Sequence, residues 1–299
     1  GAALGGLLGQ GADRALFGGR ARHGPRLAEL AVQTSSYGQP IPKLWGTMRV
    51  AGTVIWAADL IESRTTSGGK GQRVHQYSYA ASFAVLLSGR QVREVRRIWA
   101  DGKLLRGAAG DWKARCRFRL HTGEEDQPVD PLIAAHQGIA NTPAHRGCAV
   151  AVFEELELAD YGNRIPSLTF EVVADAAPVP VGAVVEAASG GAIRCAEPTV
   201  AMIGYAAHGS IRDMAEALAE PAGCWFADDG RGSFALRGGE GTALELPESG
   251  WASGEERAAR RRRNFADASD APAEVTIGYH DADRDYQVGL QRALWPGQG

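Results

Sequence analysis

A mainly β fold with minor α, an α+β chain, is what the sequence predicts, on three observations. Apolar and polar residues alternate over long stretches, the period of a half-buried strand. Glycine, at 39 of 299 residues, is nearly twice its usual share of about 7 % and falls at turn-like positions. Gly and Pro also cut the apolar segments at short intervals, and neither helices nor central strands tolerate proline.

The opening twenty residues depart from this texture. Gly1, Gly5 and Gly9 share helical spacing with an apolar set of Leu4, Leu8, Ala12, Ala15 and Leu16. This reads either as a frayed leader or as a helix packed closely through its glycine face, since glycine weakens an isolated helix. Residue 1 is not Met, so the chain is expected to begin inside a longer sequence. Strand-like segments follow at 32–38, 40–46 and 48–57. The longest strand is expected over 72–87, with Tyr77, Tyr79, Ala81, Phe83 and Val85 on one face. A polar, glycine-rich hairpin tip, 64–73, precedes it.

Val92, Ile98 and Leu104 mark two strands joined by Asp101-Gly102, a strong hairpin signal. Residues 115–120 alternate again. Asp130, Pro131 and Gly138 then bracket a short helix as N-cap, first residue and C-cap. Strands at 148–154 and 167–173 flank a turn-rich connection, 158–166. Residues 174–180 break the pattern with Ala and Pro and mark a domain boundary. The expected organisation is therefore a Gly/Ala-rich leader or helix over 1–26, a first β-rich module over 27–175 and a second, α+β module over 176–299. In the second module, helices are expected at 182–189 and 210–220. The latter is capped by Ser210, packs through Ile211, Met214, Ala215 and Leu218, and stops at Pro221. Residues 223–237 read as a hairpin turning at Asp229-Gly230, and 273–279 as a final strand leading into Asp281-Ala-Asp-Arg-Asp-Tyr-Gln287.

Composition narrows the function classes. Apolar residues make up 44 % and charged ones 22 %, which is globular chemistry rather than disorder. The net charge of −3 gives no basic surplus of the kind nucleic-acid binders carry. Cys116, Cys148, Cys195 and Cys224 are too far apart for a CxxC pair, so buried thiols are expected rather than zinc or redox chemistry. No apolar run is long enough to span a bilayer and nothing resembles a secretory signal, so assembly in the cytoplasm is expected.

Candidate chemistry is sparse. Asp281, Asp283 and Asp285 superficially suggest a calcium loop, but Tyr286 and Ala293 stand where that loop needs Gly and Glu. The seven histidines form no metal face. His208-Gly-Ser210 lacks a nucleophile elbow and reads as a helix cap. The glycine tracts 68–71 and 238–241 lack a phosphate-cradling Lys-Ser/Thr ending. The basic block 257–263, with Arg260 to Arg263, reads as a solvated or partner-facing segment, with DNA contact as its alternative. Adjacent acids, Glu154/Glu155 and Asp228/Asp229, motivate one competing function, a cell-wall- or glycan-degrading enzyme. Neighbours in a strand point to opposite faces, however, whereas glycosidase carboxyls converge at about 5–9 Å. No catalytic, metal or cofactor site is expected.

Residues 32–57, which hold Tyr37, Gly38, Pro42, Gly46, Arg49 and Gly52, closely resemble the start of the large tail-tip ("megatron") protein of gene transfer agents and related siphophages. So do residues 142–156, and residues 161–172 with Asn163, Arg164 and Pro166. Residues 272–279 with Asp285-Tyr-Gln287 are similar to the end of a hub module in that family and add Tyr279, Asp285 and Tyr286 to the motif and assembly candidates. The resemblance implies tandem β-barrel-like hub modules in a homotrimer, forming a pseudo-sixfold ring between tail tube and tip. It also implies distal tail, hub and peptidase-type tail proteins as neighbours, DNA only as passing cargo, host-envelope contact through other regions, and residence in the virion tail tip. No TIM-barrel-like insertion or receptor-binding extension is visible, which implies a piece of a longer protein to which no hydrolase activity transfers.

Overall fold

The computed structural model describes residues 22–23, 40–67, 74–195, 199–228, 230, 233–238 and 274–294. Within them the fold is mainly β with three short helices. Two sheets face each other across the principal core. The first contains β1 (Arg22–His23), β3 (Thr53–Ala57), β4 (Ile61–Ser67), β5 (Val74–Ser88), β8 (Arg117–His121) and β9 (Ala149–Glu157). In it β5 pairs along one edge with β9 and along the other with β3 and β4. The second runs β14 (Gly204–Ala207), β2 (Lys43–Ala51), β10 (Leu168–Val173), β6 (Glu94–Ala100), β7 (Lys103–Arg106).

Alternation explains the core between them. On β5, Tyr79, Ala81, Phe83 and Val85 are buried and Tyr77 packs beside them, as the period-two pattern predicts. Phe83 stacks on Phe153 of β9, with ring centroids 4.9 Å apart, and Phe153 reaches Phe170 of β10 at 6.1 Å. The opposite face of β5 is covered as well: Ala84 packs with Val150, Val152 and Ile133 of helix α1 (Pro131–Gln137). Asp130 caps α1 by accepting from the Leu132 and Ile133 amides.

Gly52 is where the chain leaves the second sheet for the first. A Cβ there would overlap Val85 and Phe170, so the corner closes tightly only around a glycine. The turn at Asp101-Gly102 has φ of 49° and 79°, the twist that a two-residue hairpin needs.

A second, smaller core lies beyond β2. It unites Trp45 of β2 with Val181, Val184 and Val185 of α2 (Val181–Ala188), Met214, Ala215 and Leu218 of α3 (Ile211–Ala219), and Leu236 of β16 (Phe234–Arg237). β16 forms a three-stranded sheet with β12 (Ile193–Arg194) and β15 (Trp225–Asp228). β11 (Val179–Pro180) pairs with β13 (Ala201–Met202). Finally β17 (Glu274–Asp281) and β18 (Gln287–Leu294) pair with each other as an antiparallel ribbon.

Leu104 lies on β7, where the sequence places a strand, and its neighbour Leu105 fills the core across the register slip between Ile98 and Trp99. Three sequence expectations need correction. Residues 64–67 belong to β4 rather than to a hairpin tip. Ile211, placed on the apolar face of α3, is exposed in its first turn. β18 extends the chain's β structure past Gln287, where no strand is expected from the sequence. The leader over 1–26, apart from Arg22 and His23, lies outside the described residues, as does Arg260 to Arg263.

β2 serves both cores: Leu44 faces the principal one and Trp45 the smaller. Strand alternation places these two neighbours on opposite faces, and next to them Gly46, at φ 66°, stands directly opposite Gly204 of β14. A Cβ on Gly46 would overlap the Ile203 carbonyl, and one on Gly204 the Thr47 carbonyl. Replacing Gly46 with Ala combines left-handed strain with a backbone clash, and is expected to lower stability by about 2–4 kcal/mol in urea unfolding. A loss within experimental error would show that the crossing is loose.

Candidate functional site

The side chains gathered between distant parts of the sequence form two junctions. The first is built around Gly46. Its amide donates to Asp175 Oδ2 (2.8 Å), and its carbonyl accepts from the Ala174 amide (2.7 Å). Asp175 also takes both Nη atoms of Arg90, at 2.8 and 2.9 Å, in a bidentate ion pair. The same guanidinium donates to the Leu44 carbonyl and lies 5.3 Å from the Trp45 ring centroid. Arg90 holds the Asp175 carboxyl below its usual range despite partial burial.

The second junction seats the turn of the β17–β18 ribbon on the outer face of the second sheet. Strand alternation sends Arg49, Arg97, Trp99, Thr169 and Glu171 outward there, and Arg49 stands directly opposite Glu171 in the ladder. Glu171 is only 6 % exposed. Arg97 grips it through Nε and Nη2, at 2.7 and 2.8 Å, and turns Nη1 to Asp285 Oδ1 at 2.6 Å. Arg49 donates to the Asp285 carbonyl (3.0 Å) and to Thr169 Oγ1 (2.9 Å), and its guanidinium sits 4.1 Å from the Trp99 centroid. Tyr286 donates its hydroxyl to Glu171 Oε1 (3.1 Å) while its ring meets Trp99 edge-on.

The turn is shaped for this seat. Asp281 caps a 3-10 turn by accepting from the Asp283 amide, and Asp285 and Tyr286 both adopt left-handed backbone, at φ 53° and 60°. The acidic cluster is thus spent on a cap and an ion pair. Among the described residues no cluster of His, Cys, Asp or Glu could hold a metal ion.

Electrostatics tie the seat together. Burial pushes the Glu171 carboxyl up, yet its bonds to Arg97 and Tyr286 outweigh that and hold it below the usual carboxylate range. Burial, then the Glu171 charge, push the Tyr286 phenol up to about 12. Hydrogen bonding to Glu171 raises Arg97 further, so the cation persists at any working pH. Beside the seat, Met48, Ile203 and Tyr279 help line an open cleft of about 720 Å³.

Of the residues singled out in the sequence, Arg49, Asp285 and Tyr286 meet at the second junction and Gly46 forms the first. Tyr279 lies on β17 with its ring over Gly289. Gly52 makes the corner, and Pro42 accepts a backbone bond from Gly89. Arg164 pairs with Asp101 (2.8 Å), tying the 158–166 connection to the β6–β7 turn, where Asn163 sits at φ 56° and Pro166 is buried. Tyr37 and Gly38 lie outside the described residues. Sequence reasoning misses Arg97, Trp99, Glu171, Arg90 and Asp175; for Arg97 and Glu171 the only signal is opposite charge at outward strand positions, and Arg90 and Asp175 lie just outside strands.

Of the acids that motivate an enzymatic reading, Glu154 and Asp228 are engaged structurally, and Asp229 lies outside the described residues. Glu154 accepts from Arg117 and Arg119, at 2.8 and 2.7 Å. The bond from Arg119 leads the effects that hold its carboxyl below the usual range, the opposite of what a general acid needs. Asp228 accepts from the Gly230 amide in its turn.

A β-rich chain whose described side-chain chemistry is chiefly ion pairing between its own elements has the character of a structural component. Residues 210–298, from the cap of α3 through the ribbon, match the sequence profile of Phage-tail_3, a family of phage tail proteins. The whole fold is similar to a chain in the solved virion of a native gene transfer agent particle, with a TM-score of 0.67 and 27 % identity, over 99 % of this chain and 76 % of that one. No curated protein matches. The profile supports a phage tail protein and the fold a component of a gene-transfer-agent particle, which together support a structural tail component.

Replacing Arg97 with Ala leaves Glu171 buried without its main partner and is expected to cost roughly 3 kcal/mol, with faster proteolysis after residue 274. A variant as protease-resistant as the parent would contradict the seat. Glu171 contributes fully at neutral pH, and its share is lost as pH falls through its lowered folded value. Tyr286 contributes fully below the ordinary phenol range, and its share is lost as pH rises through about 12. Protection factors of the β17 and β18 amides, which divide out the intrinsic acid and base catalysis of exchange, should therefore fall selectively at both extremes, and protection unchanged with pH would exclude this linkage.

Proposed function

We infer that the chain is a structural subunit of a tail-tip hub, two modules of which recur around a homotrimeric ring that joins the tail tube to the tip and lets DNA pass during delivery. The observation that carries this reading is the fold similarity to a virion chain of a gene transfer agent over 99 % of the sequence. The described structure supports it physically. A ring subunit needs its parts fixed relative to one another, and the pairing of β14 with β2 ties residues beyond 175 to the principal sheets. The mild net charge of −3 also suits a conduit along which DNA slides without adhering. The neighbours in this reading are distal tail, hub and peptidase-type tail proteins, with host-envelope contact made by other regions, and no catalytic residue is assigned.

Gold labelling of a tagged chain in intact particles, imaged by electron microscopy, is expected to mark the distal end of the tail with threefold averaged density. Label on the capsid, or spread along the tube, would overturn the hub assignment.

A further inference from the structure

The β17–β18 ribbon is bound to the rest of the chain in an unusual way. Its strands pair with no other described strand, and two-stranded ribbons are marginal in water by themselves. Its hold comes from the turn, where Ala282, Asp285 and Tyr286 meet Arg49, Arg97 and Glu171. Those contacts are charge-assisted, the kind that lets one separately formed body recognise another in a fixed register.

The body of the ribbon, by contrast, leaves large apolar side chains uncovered. The register Gly278↔Leu290, His280↔Val288 and Glu274↔Leu294 puts Val288, Leu290 and Leu294 on one face, which they share with Thr276, His280 and the Glu274–Arg292 ion pair (3.3 Å). They are 65 % (Val288), 64 % (Leu290) and 73 % (Leu294) exposed. Apolar side chains rimmed by polar and charged ones on an isolated ribbon mark a surface that a neighbour covers.

Connectivity does not decide whose seat the turn occupies. The preceding connection, residues 238–273, can extend roughly 120 Å at about 3.3 Å per residue. The seat and the turn are complementary in charge, Arg49 and Arg97 against Asp285, and every copy carries both. We propose that in the assembled ring each ribbon is exchanged: its Asp285–Tyr286 turn enters the Arg97–Glu171 seat of an adjacent copy, and its Val288–Leu290–Leu294 face is buried against that same copy. The partner copy thereby completes the site, and adjacent subunits are locked as well as packed. This inference rests on the ring-forming role proposed above.

Zero-length cross-linking tests it on the full chain. R97K keeps the cation and supplies an amine that a carbodiimide can join to Asp285. Exchange predicts the 97–285 linked peptide in covalent dimers and trimers on a denaturing gel, identified by mass spectrometry. A 97–285 link confined to the monomer band, or missing from all bands, overturns the exchange. Co-expression of wild-type chain with the double variant R97K/D285N gives a second readout, because a 97–285 link can then form only between copies. Native mass spectrometry of the same samples separates the two levels. A trimer with links only inside monomers sinks the exchange and leaves the hub, whereas a strict monomer sinks both.

Discussion

One strand belongs to two cores, and the remaining architecture follows from that constraint. β2 sends Leu44 into the sandwich and Trp45 into the helical cluster by plain strand alternation, and the left-handed Gly46 beside them lets β14 close against the strand. The crossing brings Gly46 and Gly204 so close that neither position admits a side chain. Arg90 and Asp175 then fix the same point by charge, with Asp175 bonded to the Gly46 amide itself. A boundary rich in Ala and Pro thus leads into a segment whose β14 returns to the edge of β2.

The ribbon seat repeats this logic with different chemistry. Residues that strand alternation exposes on the outer sheet face would be solvated if the ribbon were absent. With it, Glu171 becomes a buried carboxylate surrounded by Arg97 and Tyr286, and Trp99 is framed by two guanidinium groups. A buried charge is costly without partners, so such a seat enforces register more than it adds stability. Register is what a particle component needs when its surfaces must meet neighbours in one orientation.

Much of the fold is legible in the sequence because it is written locally. The α1 caps follow from Asp130, Pro131 and Gly138, and the Asp101-Gly102 turn from two residues. The β5 core face follows from simple alternation. What is hidden depends on pairing. Leu105, the neighbour of Leu104, fills the core across a slip in the β6–β7 ladder. β18 becomes a strand only by pairing with β17, with the Tyr279 ring lying over Gly289. The site is legible by half: Asp285 and Tyr286 stand out as a motif, whereas Arg97 and Glu171 sit 74 positions apart and acquire meaning only when β6 and β10 are neighbours.

A strand shared in this way makes the two cores one cooperative unit. Hydrogen exchange followed by mass spectrometry across a urea series tests it most directly, by comparing peptides from β5 and β9 with peptides from α2 and α3. Convergence of both sets on one unfolding isotherm is the predicted result. If the helical peptides open fully while β5 and β9 remain protected, the cores are separate bodies and the account of β2 is wrong.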